Sequence, residues 1–247
     1  MHTRLVVFAR SERVTSKKRA IWPVALVLAA AFLLPSQSVQ ALAIRLSDGA
    51  SIVTVNDGGA GDLNPVTGAV TFLGPIGGWG INVTTGLSYP ILGAPTLPYL
   101  DLNSVNVSSS GAGSLTIYLT DTNFNSGSGP RTFLSEIGGT LTSSPGSSLD
   151  FDAFLDMGNN AFGVSGSGVT QLADLGFTGS PLADAAGGNA VVGPGNYSVT
   201  LRVTMNPGGP GVTSFDASTR IPEPGTLALL GLGLLGLGLA RRHPTAA

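Results

Sequence analysis

Cysteine is absent from all 247 residues, so no disulfide framework holds this chain and no thiolate can serve it as nucleophile or metal ligand. Histidine and lysine are missing from the whole stretch 44–220; they occur only near the ends, at His2, His243, Lys17 and Lys18. That stretch therefore has no imidazole or amine to act as a general base, which argues against acyl transfer by a triad and against zinc chemistry. Charge is scarce, at 11% of residues, and lopsided. Between Ile44 and Arg220 stand four arginines, eleven aspartates and a single glutamate, Glu136, for a net charge of −8. Such a surface repels phosphate backbones, which excludes nucleic acid as a partner. With neither bridges nor many ion pairs available, stability has to come from ordinary burial.

Both ends of the chain are organised differently from the middle. At the C-terminus, Ile221-Pro222-Glu223-Pro224-Gly225 leads into an uncharged Leu/Gly/Ala run that stops at Arg241-Arg242. As a helix, Gly225 to Ala240 would reach about 24 Å against a hydrocarbon core of about 30 Å, so it spans only with thinning or snorkelling arginines. Pro222 and Pro224 lack amide donors and keep their neighbours extended, which leaves the tripeptide as a strip at the outer edge of the membrane. Arg241 and Arg242 act as a stop signal on the cytoplasmic side and place everything before Pro222 outside. At the N-terminus, six basic residues from Arg4 to Arg19 precede an apolar run from Ala20 to Leu34, followed by polar residues and then Ala41 and Ala43. These are the n-, h- and c-regions of a secretory signal peptide, with cleavage expected after Ala41 or after Ala43. Without a twin arginine, the route is the Sec translocon followed by signal peptidase. The expected organisation is a signal peptide over 1–43, an ectodomain over 44–220, and a sorting and anchor segment over 221–247 with its membrane helix at about 225–240.

The tail resembles the PEP-CTERM sorting signal of Gram-negative bacteria, whose parts are a Pro-Glu-Pro motif, a short transmembrane helix and a basic cluster. All three occur here in order. The resemblance implies that the chain is a substrate of exosortase, a membrane protease-transferase, with Pro222, Glu223 and Pro224 as residues recognised by that enzyme rather than catalysts themselves. It also implies transient residence in the inner membrane, a final location at the cell surface or in the extracellular matrix, and association with exopolysaccharide and biofilm. Asn56 to Asn64, Trp79 to Gly86 and Ser214 to Ala217 are similar to a secreted ectodomain that recurs with such tails; this likeness implies no activity.

The middle predicts an all-β, antiparallel β-sandwich. Trp79, Ile81 and Val83 alternate with Gly80, Asn82 and Thr84. Leu115, Ile117 and Leu119 alternate with Thr116, Tyr118 and Thr120, and Tyr197 to Met205 alternate likewise. Period two over such runs means strands with one buried and one wet face. Further strands are expected over 52–55, 69–73, 100–107, 133–142 and 149–155, with a phase shift at Asn103-Ser104 that reads as a bulge. Turn clusters such as Asn56-Asp57-Gly58-Gly59 and Asn206-Pro207-Gly208-Gly209 separate them. The stretch 158–195 reads as a long glycine-rich loop with a short helical turn near Gln171 to Leu175.

Candidate chemistry in the ectodomain is sparse. Asp150, Asp152 and Asp156 share one strand face, where a solvated acidic face and the carboxylates of a glycosidase compete as readings. Asp57, Asp62 and Asn64 offer hard oxygen ligands of the kind calcium takes, as do Asp121 and Asn123, although Asx residues also favour turns for their own sake. No other cofactor is expected. Trp79 and Tyr89 could stack on sugar rings, but Trp79 lies on the apolar phase of its strand. The chain therefore reads as a non-catalytic exported surface or matrix protein, with a carbohydrate-binding module as the alternative and a glycosidase as a third reading.

Overall fold

The computed structural model describes residues 42–141 and 144–223. The expected membrane helix at 225–240, the signal peptide up to Ala41, and Pro224, Arg241 and Arg242 lie outside the described residues. Among the described residues no helix is long and apolar enough to cross a membrane. Twelve strands follow one another: β1 Ala43–Ser47, β2 Ile52–Asn56, β3 Ala69–Ile76, β4 Trp79–Leu87, β5 Tyr99–Ser109, β6 Leu115–Phe124, β7 Gly129–Thr140, β8 Ser148–Asp156, β9 Val169–Phe177, β10 Leu182–Val192, β11 Tyr197–Asn206 and β12 Gly211–Arg220. They form two six-stranded sheets, β2-β1-β6-β11-β8-β9 and β10-β7-β12-β5-β4-β3, in which every pairing is antiparallel.

The alternating sequence explains the sandwich. Odd-phase residues of β6 and β11, Leu115, Ile117, Leu119, Val199, Leu201 and Val203, are buried, and they meet Leu100, Leu102, Val105 and Val107 of β5 in one apolar cluster. Each such side chain contributes about 1.5–3 kcal/mol on burial. The predicted bulge is present: Leu102 faces Ala217 and Val105 faces Phe215, so Asn103 and Ser104 together oppose Asp216. Ser104 has φ 54°, and its amide donates to Asp216 Oδ1 at 2.6 Å.

The stretch 158–195 departs from the expectation. No helical turn forms over Gln171 to Leu175; β9 occupies it, and β10 follows. In β9 the register slips between Gln171, opposite Phe154, and Ala173, opposite Ala153. Leu172 is the extra residue, so two consecutive residues are buried and the period-two signal is lost. In β10 one glycine has a steric reason: a Cβ on Gly188 would overlap the Leu172 backbone, so this glycine lets the edges of the two sheets close on each other. β1 and β12 also extend the set of strands read from the pattern.

Because all pairings are antiparallel and successive strands reverse, the turns after β2, β4, β6, β8 and β10 gather at one end of the sandwich. The chain enters at that end through Leu42 and leaves it after Arg220.

Candidate sorting site

Arg220, the last residue of β12, lies on the outward phase of its strand. Its guanidinium donates to Glu136 Oε2 at 2.5 Å and sits 5.6 Å from the centroid of the Tyr99 ring. The next amide, that of Ile221, donates to the carbonyl of Pro98 at 3.1 Å. Beyond this tie Pro222 and Glu223 are exposed. Gly93, Leu97, Pro98, Tyr99, Arg220, Ile221 and Glu223 line a depression of about 250 Å³ beside the strip. The Pro222 nitrogen carries no hydrogen to donate, and neither Pro222 nor Glu223 belongs to a strand.

At the other chain end, Ala43 is the first residue of β1, buried and paired with Asn56 and Thr120. Leu42 before it is 2% exposed and packs in the core, and its carbonyl accepts from the Asp57 amide at 3.0 Å.

Of the residues considered for calcium, Asp57, Asp62 and Asn64 lie in the β2–β3 loop, where their oxygens hold the backbone. Asp62 Oδ1 accepts from the amides of Asn64 and Thr71, each at 2.9 Å, and its Oδ2 accepts from Gly58 at 2.8 Å. Asp57 Oδ2 accepts from Gly68 at 2.7 Å, and Asn64 Oδ1 accepts from Val66 at 3.0 Å. Burial pushes the Asp57 carboxyl above the ordinary aspartate value, against the Gly68 hydrogen bond and with help from the charge of Asp62. Among the described residues no group of three or more His, Cys, Asp or Glu is arranged to hold a metal. Asp121 is buried, accepting from Ser88 Oγ at 2.5 Å and the Thr122 amide at 2.8 Å, while Asn123 near the end of β6 bonds Asn159 of the β8–β9 loop.

The solvated acidic face expected for Asp150, Asp152 and Asp156 is not what forms. Asp150 is exposed, but Asp152 and Asp156 are buried on that same outer face. Asp152 accepts from Arg202 Nε at 3.0 Å, Arg202 Nη2 at 2.8 Å and Gln171 Nε2 at 2.8 Å. Asp156 is covered by the β8–β9 loop, accepting from the amides of Gly158 at 2.7 Å and Asn160 at 3.2 Å and from Asn160 Nδ2 at 2.7 Å. The same loop lays Phe162 on the sheet, its amide donating to Thr120 Oγ1 at 3.1 Å and its ring 3.8 Å from the Arg45 guanidinium. A loop distant in pattern but adjacent in space turns an outward face inward. Trp79, at 7% exposure, is core as its phase required, and Tyr89 is exposed.

One set of carboxylates was not legible beforehand. Asp101, Glu136 and Asp216, on β5, β7 and β12, line a second depression of about 250 Å³ on the outer face of the other sheet. Burial raises the Asp101 carboxyl, and the neighbouring Asp216 adds to it. Glu136 stood out only as the lone glutamate of the stretch, and the three meet only through strand order.

Residues 220–242 match the model of the PEP-CTERM protein-sorting motif. No curated protein matches the chain. Among solved structures, TmCBM61 in complex with beta-1,4-galactotriose is similar with a TM-score of 0.32 and 12% identity, over 61% of this chain and 92% of that one. A carbohydrate-binding module structure of the beta-sandwich superfamily gives 0.30 and 12%, over 71% and 70%. The enzymatically active domain of Bacteriophage CBA120 tailspike protein 4 gives 0.28 and 17%, over 57% of this chain and 19% of that one. At TM-scores of this size the likenesses carry no argument about ligand or activity.

Proposed function

We propose that this chain, which carries a PEP-CTERM sorting motif at residues 220–242, is non-catalytic cargo: an exported β-sandwich delivered to the cell surface or extracellular matrix. It is led through the Sec translocon by its signal peptide, held transiently in the inner membrane by 225–240, and processed by exosortase at Pro222-Glu223-Pro224. Exopolysaccharide is the setting this reading implies for the product. The observation that carries it is the exposed, donor-poor strip leaving a pinned Arg220 and Ile221 immediately before the apolar run. Supporting the non-catalytic part, the ectodomain has no histidine, lysine or cysteine, and Asp152 and Asp156 are engaged in bonds that hold the fold.

Signal peptidase cleavage after Ala41 belongs to the same reading. A cut after Ala43 would discard Leu42, a core residue, and the first pair of β1; a cut after Ala41 keeps both. N-terminal sequencing of the exported protein is expected to begin at Leu42, and a start at Ile44 would refute this choice.

The sorting reading is tested by comparing the mass and location of the protein in cells with and without exosortase. Loss of the enzyme is expected to leave a heavier, membrane-bound form, and Glu223→Ala is expected to do the same in wild-type cells. Unchanged mass and location would overturn the reading. A second reading, a carbohydrate-binding module, draws on the depression lined by Asp101, Glu136 and Asp216, since carboxylates accept from sugar hydroxyls. Calorimetric titration with matrix glycans separates the two: saturable heat abolished by Asp216→Ala favours the module, and silence across the glycans leaves the cargo reading.

A further inference from the structure

At the end where the chain leaves the sandwich, three large apolar side chains are about half exposed. Val66 is 53% exposed, Tyr89 47% and Ile91 42%, and all three lie on the β2–β3 and β4–β5 turns at that end. These turns are knit to the tail exit. Ser88 donates its amide to the Gly68 carbonyl at 2.9 Å, Gly93 and Leu97 line the depression that Ile221 and Glu223 share, and Asn125 donates to the Pro95 carbonyl at 2.7 Å. Asn196 Nδ2 and Asn159 Nδ2 both donate to Asn123 Oδ1, at 3.3 and 2.9 Å, which ties the β8–β9 and β10–β11 turns to the end of β6 in the same rim. The rim is a built surface with side chains such as Tyr89 pointing out of it.

What this end faces follows from chain length. Among the described residues the last backbone tie to the fold is that of Ile221, and the apolar run begins at Gly225, four residues on. Four extended residues reach about 14 Å at most. The headgroup layer on each side of a bilayer is about 5–8 Å deep, as the difference between a core of about 30 Å and a total of about 40–45 Å. The run is also short for the core, which draws its outer end inward rather than outward. A lead of about 14 Å at most, less a headgroup depth of about 5–8 Å, keeps this end of the twelve-stranded sandwich within about 6–9 Å of the outer edge of the headgroup layer.

We propose that, until the tail is cut, the rim bearing Val66, Tyr89 and Ile91 rests in the headgroup region of the bilayer, its partner being a lipid surface. This rests on the reading of 225–240 as a membrane segment. A tyrosine with an apolar ring and a polar tip suits that layer, and valine and isoleucine beside it reach the acyl boundary. The consequence for processing is that the Pro-Glu-Pro strip is held at the membrane surface at a fixed height, where a membrane enzyme meets it. After cutting, the affinity left in three side chains is too small to retain the domain, so docking is lost with the tail.

The test uses the absence of cysteine. Val66→Cys, Ile91→Cys and, at the opposite end, Ile52→Cys are each introduced into the full chain, labelled with an environment-sensitive fluorophore and reconstituted into vesicles of phosphatidylethanolamine and phosphatidylglycerol. Ile52 is 67% exposed and starts β2, so it serves as the distant reference. Lipids carrying a quencher high on the acyl chain are expected to quench the labels at 66 and 91 at least about twofold more than the label at 52. Equal quenching at all three positions overturns the proposal. So does quenching at 91 that depends on protein-to-lipid ratio and not on the lipid quencher, which would mean that a second copy covers the rim. Alkaline carbonate extraction of the same vesicles reports the tail separately: protein released by alkali refutes the membrane segment, while retained protein with unquenched rim labels refutes only the docking.

Discussion

Asp121 offers the sharpest quantitative test of the fold. Its carboxylate is buried at the end of β6 with only a serine hydroxyl and one backbone amide as donors, and Asp57 adds negative charge nearby. Burial is the dominant influence and pushes this carboxyl up to about 6 from an ordinary 3.8, against the two hydrogen bonds. The folded protein therefore binds this proton more tightly than the unfolded chain does. The stability linked to it is fully present below about pH 4 and is lost as the pH rises to about 6. The displacement is worth about 3 kcal/mol, a large fraction of the stability of a domain this size. Asp121→Asn removes the ionisation while keeping an oxygen for the Thr122 amide, and the Ser88 hydroxyl can rotate to accept from the new amide nitrogen. Urea unfolding at about pH 4 and about pH 7.5 should find the variant equal to wild type in acid and more stable by about 2 kcal/mol near neutrality. Asp57, Asp101 and Asp150 are displaced in the same direction, so only the difference between the two proteins isolates Asp121. Equal slopes with pH in both proteins, or a variant weaker near neutrality, would refute the reasoning.

Asp152→Ala should destabilise by about 2 kcal/mol in urea titration, because it strands Arg202 and Gln171; the Arg202 side chain is 31% exposed, so water recovers part of a larger loss. Asp150→Ala, two residues away and exposed, should stay within about 0.5 kcal/mol, and a reversal of that order would restore the solvated acidic face. Thr84 Oγ1 is buried without a hydrogen-bond partner, so Thr84→Val should raise stability by about 1 kcal/mol by the same assay; a loss would mean the hydroxyl is satisfied. Gly188→Ala should lower Tm by forcing β10 away from the Leu172 backbone, at a cost of about 2 kcal/mol or more, whereas Gly187→Ala has open space and should be nearly neutral.

The strands legible in the sequence are those whose neighbours respect period two. β6, β8 and β11 bury alternate apolar residues against the opposite sheet, β4 does so at Trp79 and Ile81 before its register shifts, and the bulge in β5 showed itself as a skipped phase at Asn103. β9 and β10 were opaque for separate reasons. A bulge at Leu172 put two buried residues side by side, and the close approach of the Leu172 backbone to Gly188 left a glycine where a β-former would signal a strand. The carboxylates divide in the same way. The turn-forming use of Asp57 and Asp62 follows from Asx residues among glycines, while the meeting of Asp101, Glu136 and Asp216 depends on β12 lying between β5 and β7.

By itself, the order of residues determined the sorting address, because a donor-poor tripeptide, an apolar run and paired arginines act through composition, length and sequence position, all of which exist before folding. It likewise determined the all-β class, since alternation is local. Only the tertiary structure decided that Asp152 and Asp156 are buried, that Leu42 belongs to the core, and that Leu42 and Arg220 lie at the same end of the sandwich as the turns carrying Val66, Tyr89 and Ile91. Burial and proximity arise from contacts between segments far apart in the chain, and no local pattern encodes which loop will lie across which face.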